Sequence, residues 1–255
     1  MAQKVIYEVE EIEKVVNFMK TEKNITNITE NAGIYTIYSD SLILLKDIEN
    51  IYLKAGQIIT INGIDYSVLS VNLNQKTFTI TKDVELFHMT TDVVPVKVLD
   101  ATKWKLTVNY LYGTRNEINS RLKSIAQGSD KLATRFPLIW QFVNNDQKIN
   151  SSQQTDIKTE CKFAIVNSTD KNYLAPQRKE LNFKPIIDPL LLLFKKTLES
   201  CYFNKVFFFE NRKNDEYDKW YRYFYGSSDK NENVLDCPTD AIEISLNVEF
   251  LKQYN

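Results

Sequence analysis

Few residues of this 255-residue chain have the types and spacing that catalysis needs. The one histidine, His88, has no serine or cysteine near it in a nucleophile's setting, which disfavours general-base chemistry. The six glycines are scattered along the chain and do not form a phosphate-binding loop. We therefore predict a protein without catalytic residues and without a cofactor, that is, not an enzyme.

The potential metal ligands are also poorly arranged. Cys161, Cys201 and Cys237 are widely spaced and form no Cys-x-x-Cys pair, and one histidine cannot complete a usual zinc site with them. The glutamates between residues 8 and 13 lie on the solvated side of a predicted helix and do not converge on one point. We predict no metal site, and buried free thiols in a reducing compartment.

An aromatic and basic segment at 212–225 has the composition of a surface on which nucleic-acid bases stack beside cations. Acidic residues inside the segment cancel its positive charge, so a nucleic-acid platform is disfavoured. Trp220 and Tyr223 are candidates for packing against a neighbouring subunit, and an extended local core is the alternative.

Charge and hydropathy exclude other classes of function. Lysine and arginine number 32 against 33 aspartate and glutamate, so no overall field attracts nucleic acid or anionic lipid. With 43% hydrophobic and 25% charged residues, the composition is that of a folded globular protein. The first residues lack the apolar segment of a secretory signal, and the longest apolar run, 186–194, is too short to cross a bilayer.

Hydrophobic periodicity predicts the elements. A helical stripe predicts a first helix over about 6–20, formed by Val5, Val9, Ile12, Val16 and Met19. Strand alternation then runs from Ile34 to Ile80, with turn signals at Asn62-Gly63 and Asn74-Gln75. These patterns predict a small barrel-like module over 23–103, closed by a strand at 93–99 and having its own core.

The carboxy-terminal part mixes helices and strands. Thr114 and Glu117 have capping-box spacing at the start of a helix predicted over 114–128. The remaining predicted elements are a strand at 137–143, a polar loop at 144–157, a strand at 161–167, a helix at 186–200, and strands at 205–210 and 242–250. We predict an α+β fold in which one discontinuous domain, 1–22 and 104–255, receives the 23–103 module as an insertion.

Three segments, YGTRNEINSRL, RFPLIWQF and FAIVNSTDKNYLAPQRKELNFKPIIDPLLLLFKKTLES, are followed by the long alternating terminal strand. In this order they resemble the head–tail connector and tail-terminator-like proteins of tailed bacteriophages, in particular those of Bacteroidetes phages, including the crAss-like group. The resemblance covers residues 112–255 and the first helix, and it leaves 23–103 outside.

The resemblance implies a tail-terminator-like sheet packed with two or three helices, in a structural virion protein that is made in the host bacterial cytoplasm. It implies a closed sixfold or twelvefold ring that contacts connector, portal or tail proteins and surrounds a DNA channel, with no membrane partner. Two alternatives stay open. One is another tail component, such as a tube-completion or baseplate-hub protein, and the other is a non-viral β-module that binds a small ligand.

The strand at 137–143 and the loop after it carry the candidate assembly residues. Pro137 is interpreted as the start of a sheet edge, and Trp140 as a core residue rather than an interface anchor. The loop side chains would hydrogen-bond a neighbour, or line a lumen, without the cations that hold phosphates. The candidates in the loop are Asn144, Asn145, Gln147, Ser151 and Gln153.

Overall fold

The computed structural model describes residues 8–45, 50–81, 98–114, 117–118, 120–121, 136–142, 156–170, 172–200, 207–210 and 239–251. His88, Cys201 and Cys237 lie outside this set, as do the loop candidates and the aromatic segment. The predictions made for those residues remain predictions.

The described chain forms a closed barrel and a five-stranded sheet with helices, which confirms the mixed α+β class. The barrel contains β1 (Lys23–Asn31), β2 (Ile34–Ser39), β5 (Ile58–Ile61), β6 (Ile64–Asn72), β7 (Thr77–Thr81) and β8 (Lys103–Leu106), and β3 (Ile43–Leu45) pairs with β4 (Ile51–Tyr52). The sheet contains β9 (Asn109–Gly113), β10 (Leu138–Phe142), β11 (Asp156–Ser168), β12 (Phe207–Glu210) and β13 (Thr239–Leu251). The helices are α1 (Glu8–Met19), α2 (Ala175–Arg178), a π-helical segment (Lys179–Ile187) and α3 (Asp188–Ser200).

Helix α1 forms where the apolar stripe predicts it. Ile12, Val16 and Met19 are buried, and the helix contacts α3. On its opposite side Lys14 donates a hydrogen bond to Glu11 over 2.6 Å. A helix of this length gains most of its stability from such docking, because its own hydrogen bonds are marginal in water.

The barrel has the strand order β1-β2-β7-β6-β5-β8, with β8 pairing back to β1. Asn62 and Gly63 both have positive φ, 50° and 80°, and form the predicted tight turn between β5 and β6. In the interior, the Trp104 indole donates to Ser39 Oγ over 2.8 Å. The Trp104 ring also meets Phe78 edge-to-face at 5.2 Å.

The strand that closes the barrel is not the predicted one. Val98–Asp100 forms a turn of 3-10 helix, residues 93–97 lie outside the description, and Lys103–Leu106 closes the barrel. Trp104 and Leu106 alternate with two lysines, and this phase places both apolar residues in the core. The barrel therefore extends past residue 103, where the predicted insertion ended.

The core of the barrel is continuous with the core between the helices and the sheet, and the prediction of separate domains stays a prediction. Buried residues of the barrel, of α1, of α3 and of one face of the sheet form one contiguous cluster. Only Thr107 and Val108, both buried, separate β8 of the barrel from β9 of the sheet. A Cβ at Gly56, in the turn before β5, would lie 2.2 Å from the Cβ of Pro185 in the π-helical segment.

The sheet order is β12-β13-β11-β10-β9. Strand β10 was predicted to be a sheet edge, but it lies between β11 and β9, parallel to β9. The predicted edge is wrong because β9, a five-residue strand, was not recognised in the sequence. A parallel partner needs a long crossover, and residues 114–137 connect the two strands; of these, the described residues 117–118 and 120–121 are helical. The backbone N–H and Oγ1 of Thr114 both donate to Glu117 Oε2, which confirms the capping box.

The two sheet faces have different cores. Cys161, Phe163 and Ile165 share the face that packs on α1 and α3, as their alternation predicts, and all three are buried. Trp140 lies on the other face, 1% exposed, within a smaller cluster that includes Ile118. The interpretation of Trp140 as a core residue is confirmed.

The helical run from Ala175 to Ser200 covers the first of these faces. Pro189 lies in the first turn of α3, where a proline is tolerated. Leu190, Phe194 and Leu198 of α3 are buried, and the Phe194 ring meets Phe163 at 5.2 Å.

Candidate functional site: a long strand pair and its buried anchor

The most extended feature of the described chain is the antiparallel pair β11–β13. Its 13 residue pairs run from Asp156↔Leu251 to Ser168↔Thr239, a length of about 40 Å at about 3.3 Å per residue. Strand β10 pairs only with residues 162–166 of β11. No described strand pairs with the other edge of residues 156–160, so the pair extends past the strand beside it.

A buried ion pair fixes the opposite end of this strand pair to the helical run. Arg178 Nε and its terminal nitrogen both donate to Asp240 Oδ1. The side chain of Arg178 is 7% exposed and that of Asp240 is 0% exposed. Asp240 lies at the start of β13 and Arg178 at the end of α2, so the contact joins the terminal strand to the helix.

Two asparagines continue the anchor to strand β11. Asn182 Nδ2 donates to Asp240 Oδ2 over 2.8 Å and to the Ser168 carbonyl over 3.0 Å. Asn167 Nδ2 in turn donates to Asn182 Oδ1 over 2.7 Å. Both strands of the pair are therefore held by the same turn of helix. We call these four side chains, Arg178, Asp240, Asn182 and Asn167, the polar anchor.

The polar anchor is incompletely satisfied by protein groups. Within the anchor, the buried Asn167 Oδ1 has no hydrogen-bond partner in the described chain, and neither have Thr239 Oγ1 and Thr169 Oγ1, which lie close to anchor residues in the sequence. An unsatisfied buried polar group costs about 1–3 kcal/mol. The anchor therefore determines the geometry of the strand pair more than it stabilises the fold.

A partly buried carboxylate, Asp65, lies in the barrel wall. Burial raises the pKa of Asp65, and hydrogen bonds from Thr60 and Thr107, at 2.7 and 3.1 Å, oppose that rise. A raised carboxyl pKa means that the folded state holds its proton more tightly than the unfolded chain. The contribution of Asp65 to stability therefore falls as the pH rises from the ordinary carboxyl pKa to the raised folded value.

The described residues contain no group of three or more His, Cys, Asp or Glu side chains that could hold a metal ion. The polar anchor has one carboxylate, and a guanidinium already neutralises it. Its chemistry is that of a structural contact, which orients two strands and a helix.

The structure describes the strands on either side of the residues predicted to act in assembly, but not these residues themselves. Asn144, Asn145, Gln147, Ser151 and Gln153 lie outside the described residues, between the end of β10 at Phe142 and the start of β11 at Asp156. Trp220 and Tyr223 are also outside the described residues, between β12 and β13.

Sequence reasoning missed the polar anchor, although a signal for it exists. Asp240 has the same strand phase as Ile242 and Ile244, and Asn167 has the phase of Phe163 and Ile165. A charged or amide side chain in an otherwise apolar phase must find a buried partner.

No protein-family model matches the chain, and no curated protein or solved structure is detectably similar to it. No helix in the described part of the chain is long and apolar enough to cross a membrane.

Proposed function

We propose that this protein is a structural virion subunit, which forms a closed ring in the neck of a tailed bacteriophage and joins the capsid portal to the tail. The observation that carries the proposal is the β11–β13 pair, which extends past β10 and follows the polar segment 144–155 in the chain. The projecting part of β11 has one edge with which no described strand pairs, and such an edge suits a contact between identical subunits. The order of elements in 112–255, which resembles connector and tail-terminator-like proteins, supplies the biological setting.

The open sheet is better suited to ring contacts between copies than the closed barrel is. A closed barrel has no free strand edge through which its backbone could pair with another chain. The sheet has such edges, so side-by-side contacts between copies would use it. A heterologous contact of this kind closes into a ring when the rotation between copies divides the circle.

The DNA channel is proposed from the composition of the segment 144–155. Its amides and hydroxyls would line the lumen and let DNA slide, because the one cation of the segment, Lys148, is balanced by Asp146 and leaves no net positive charge to hold phosphates. The formal net charge of −1 likewise provides no general attraction to DNA. The partners in this proposal are further copies of the chain, the adjoining portal or tail proteins, and DNA that is not read by sequence.

Imaging of whole virions tests the ring. We expect a map with this chain in six or twelve copies around the central channel, between portal and tail. Native mass spectrometry of the isolated protein complements the map, but many ring subunits assemble only on their template. A single copy away from the axis, or absence from the virion, would refute the proposal.

The lumen is tested by adding positive charge to it. Asn144, Asn145 and Gln147 are replaced together by lysine, and we expect slower DNA ejection because the new cations hold phosphates. The matched control adds three lysines at Thr26, Ser67 and Thr102, which are exposed on the barrel. Equal ejection rates in the two variants, both assembled into virions, would contradict the lumen assignment.

A further inference from the structure

One side of the barrel wall has no charged residue over twelve positions. Strands β1, β2, β7 and β6 are neighbours, and their registers align these positions in rows across four strands. We call this surface the neutral face. It comprises Asn27, Thr29, Asn31, Ile34, Thr36, Tyr38, Leu69, Ser70, Asn72, Thr77, Thr79 and Thr81.

The neutral face points outward. The residues that alternate with it, such as Ile37, Phe78 and Ile80, are buried in the barrel core. Within the neutral face itself only Thr77 is buried, and Ile34 and Leu69 are 43% and 45% exposed. A quarter of the whole chain is charged, so an accessible surface of this size without any charge is unusual.

Most of the neutral face lies opposite the strand through which the barrel joins the sheet. In the closed order β1-β2-β7-β6-β5-β8, strand β7 is diametrically opposite β8. Strand β8 leads directly into the sheet, so β7 with its neighbours β2 and β6 forms the distal wall, and β1, which pairs with β8, forms the near edge of the neutral face. A ligand from solution can therefore reach this wall without displacing any described element.

The middle row of the neutral face consists of hydroxyl groups alone. Thr29, Thr36, Thr79 and Ser70 are aligned in register, and Ser70 Oγ lies 2.7 Å from Thr79 Oγ1. Hydroxyl and amide groups both donate and accept hydrogen bonds, as the hydroxyls of a sugar do. The apolar groups of Ile34, Leu69 and Tyr38 flank this row and could pack against the C–H faces of sugar rings.

The area of the neutral face favours a narrow ligand over a protein partner. Four strands about 4.8 Å apart and about five residues long present roughly 300 Å². A standard protein interface buries about 800 Å² on each partner. The neutral face is too small for a stable subunit contact by itself, and its lack of charge offers nothing to an ionic polymer.

We propose that the neutral face binds a neutral polysaccharide, which lies across the four strands along the hydroxyl row. The binding is independent of ring formation, since it uses the distal wall of the barrel and not the sheet. Hydrogen bonds from Thr29, Thr36, Thr79 and Ser70 would orient the sugar, and the apolar side chains would hold its rings.

Calorimetric titration of the full chain with four neutral oligosaccharides, cellohexaose, maltohexaose, mannohexaose and chitohexaose, tests this proposal. Hexagalacturonate serves as the anionic comparison. We expect saturable binding of at least one neutral ligand and none of hexagalacturonate. Absence of binding by all four neutral ligands, or equal binding of the anionic one, would overturn the proposal.

Substitutions inside and outside the neutral face test whether the oligosaccharide binds there. We expect Thr29→Arg to weaken binding about tenfold, and Ser70→Ala to weaken it less, because Ser70→Ala removes one hydrogen bond and adds neither charge nor bulk. Thr102→Arg adds the same charge just before β8, outside the neutral face, and should leave the affinity unchanged. Thermal unfolding by circular dichroism confirms that each variant is folded. Unchanged affinity in Thr29→Arg would overturn the assignment, and a change in oligomeric state without glycan binding would identify a protein-contact surface instead.

Discussion

At the scale of single residues, the ion pair of Arg178 and Asp240 is the contact on which the shape of the long strand pair depends. Both side chains are nearly inaccessible to water, and the Asn182 amide satisfies the second carboxylate oxygen. Removing one partner would leave a buried charge without compensation. Such a loss is far more costly than the net value of the intact pair.

We therefore expect Asp240→Ala and Arg178→Ala each to lower the free energy of unfolding by about 3–5 kcal/mol, measured by urea denaturation. The exposed pair of Lys184 and Glu180, at 2.5 Å, provides the control, and Lys184→Ala should cost less than about 0.5 kcal/mol. The combination Arg178→Met with Asp240→Leu should recover part of the loss, because it leaves no unpaired charge. If Asp240→Ala costs no more than Lys184→Ala, the anchor does not hold the strands.

At the scale of elements, the contact between the turn before β5 and the π-helical segment joins the barrel to the helical run. Gly56 has φ of +86°, and Pro185 lies where its side chain would begin. Glycine is needed here for two reasons, the backbone conformation and the lack of space. Gly63 has nearly the same backbone, φ of +80°, but no atom within 4 Å of the added Cβ.

The comparison of Gly56→Ala with Gly63→Ala separates these two reasons. We expect Gly63→Ala to cost about 1 kcal/mol through its backbone conformation alone. Gly56→Ala should cost about 1–3 kcal/mol more, because the turn and the helix must move apart. Chemical denaturation of both variants measures the difference. Equal losses would mean that the barrel turn does not press on Pro185 in solution.

At the scale of the whole molecule, the contiguous core means that barrel and sheet support each other. The cluster that contains Trp104 of the barrel also contains Phe163 of the sheet and Phe194 of α3. Domains with a shared apolar core unfold together, whereas an inserted module with its own core can unfold separately. The division into two domains remains a prediction, and cooperativity can test it.

Tryptophan fluorescence provides the test. A variant that keeps only Trp104 (Trp140→Phe with Trp220→Phe) reports on the barrel. A second variant that keeps only Trp140 (Trp104→Phe with Trp220→Phe) reports on the sheet. For each variant, we expect the denaturation midpoint measured by tryptophan fluorescence to equal the midpoint measured by circular dichroism. The barrel and the sheet would then unfold in a single global transition. A barrel transition that clearly separates from the sheet transition would show independent domains.

Local patterns in the sequence determine much of this fold. The stripe of α1, the Asn62-Gly63 turn, the capping box of Thr114 and the alternation of β13 are all decided within a few neighbouring residues. Periodicity and turn chemistry act over that range, so these elements can be predicted from sequence.

Long-range pairing was decided only by the tertiary structure. Strand β8 belongs to the barrel because β1 and β5 receive it, and β10 is interior because β9 joins it in parallel. The partners of Asp240 lie 58 and 62 residues away in the chain. The hydrophobic periodicity of one segment does not show which distant segment it will pair with. The pairing depends on how all the segments together bury one common core.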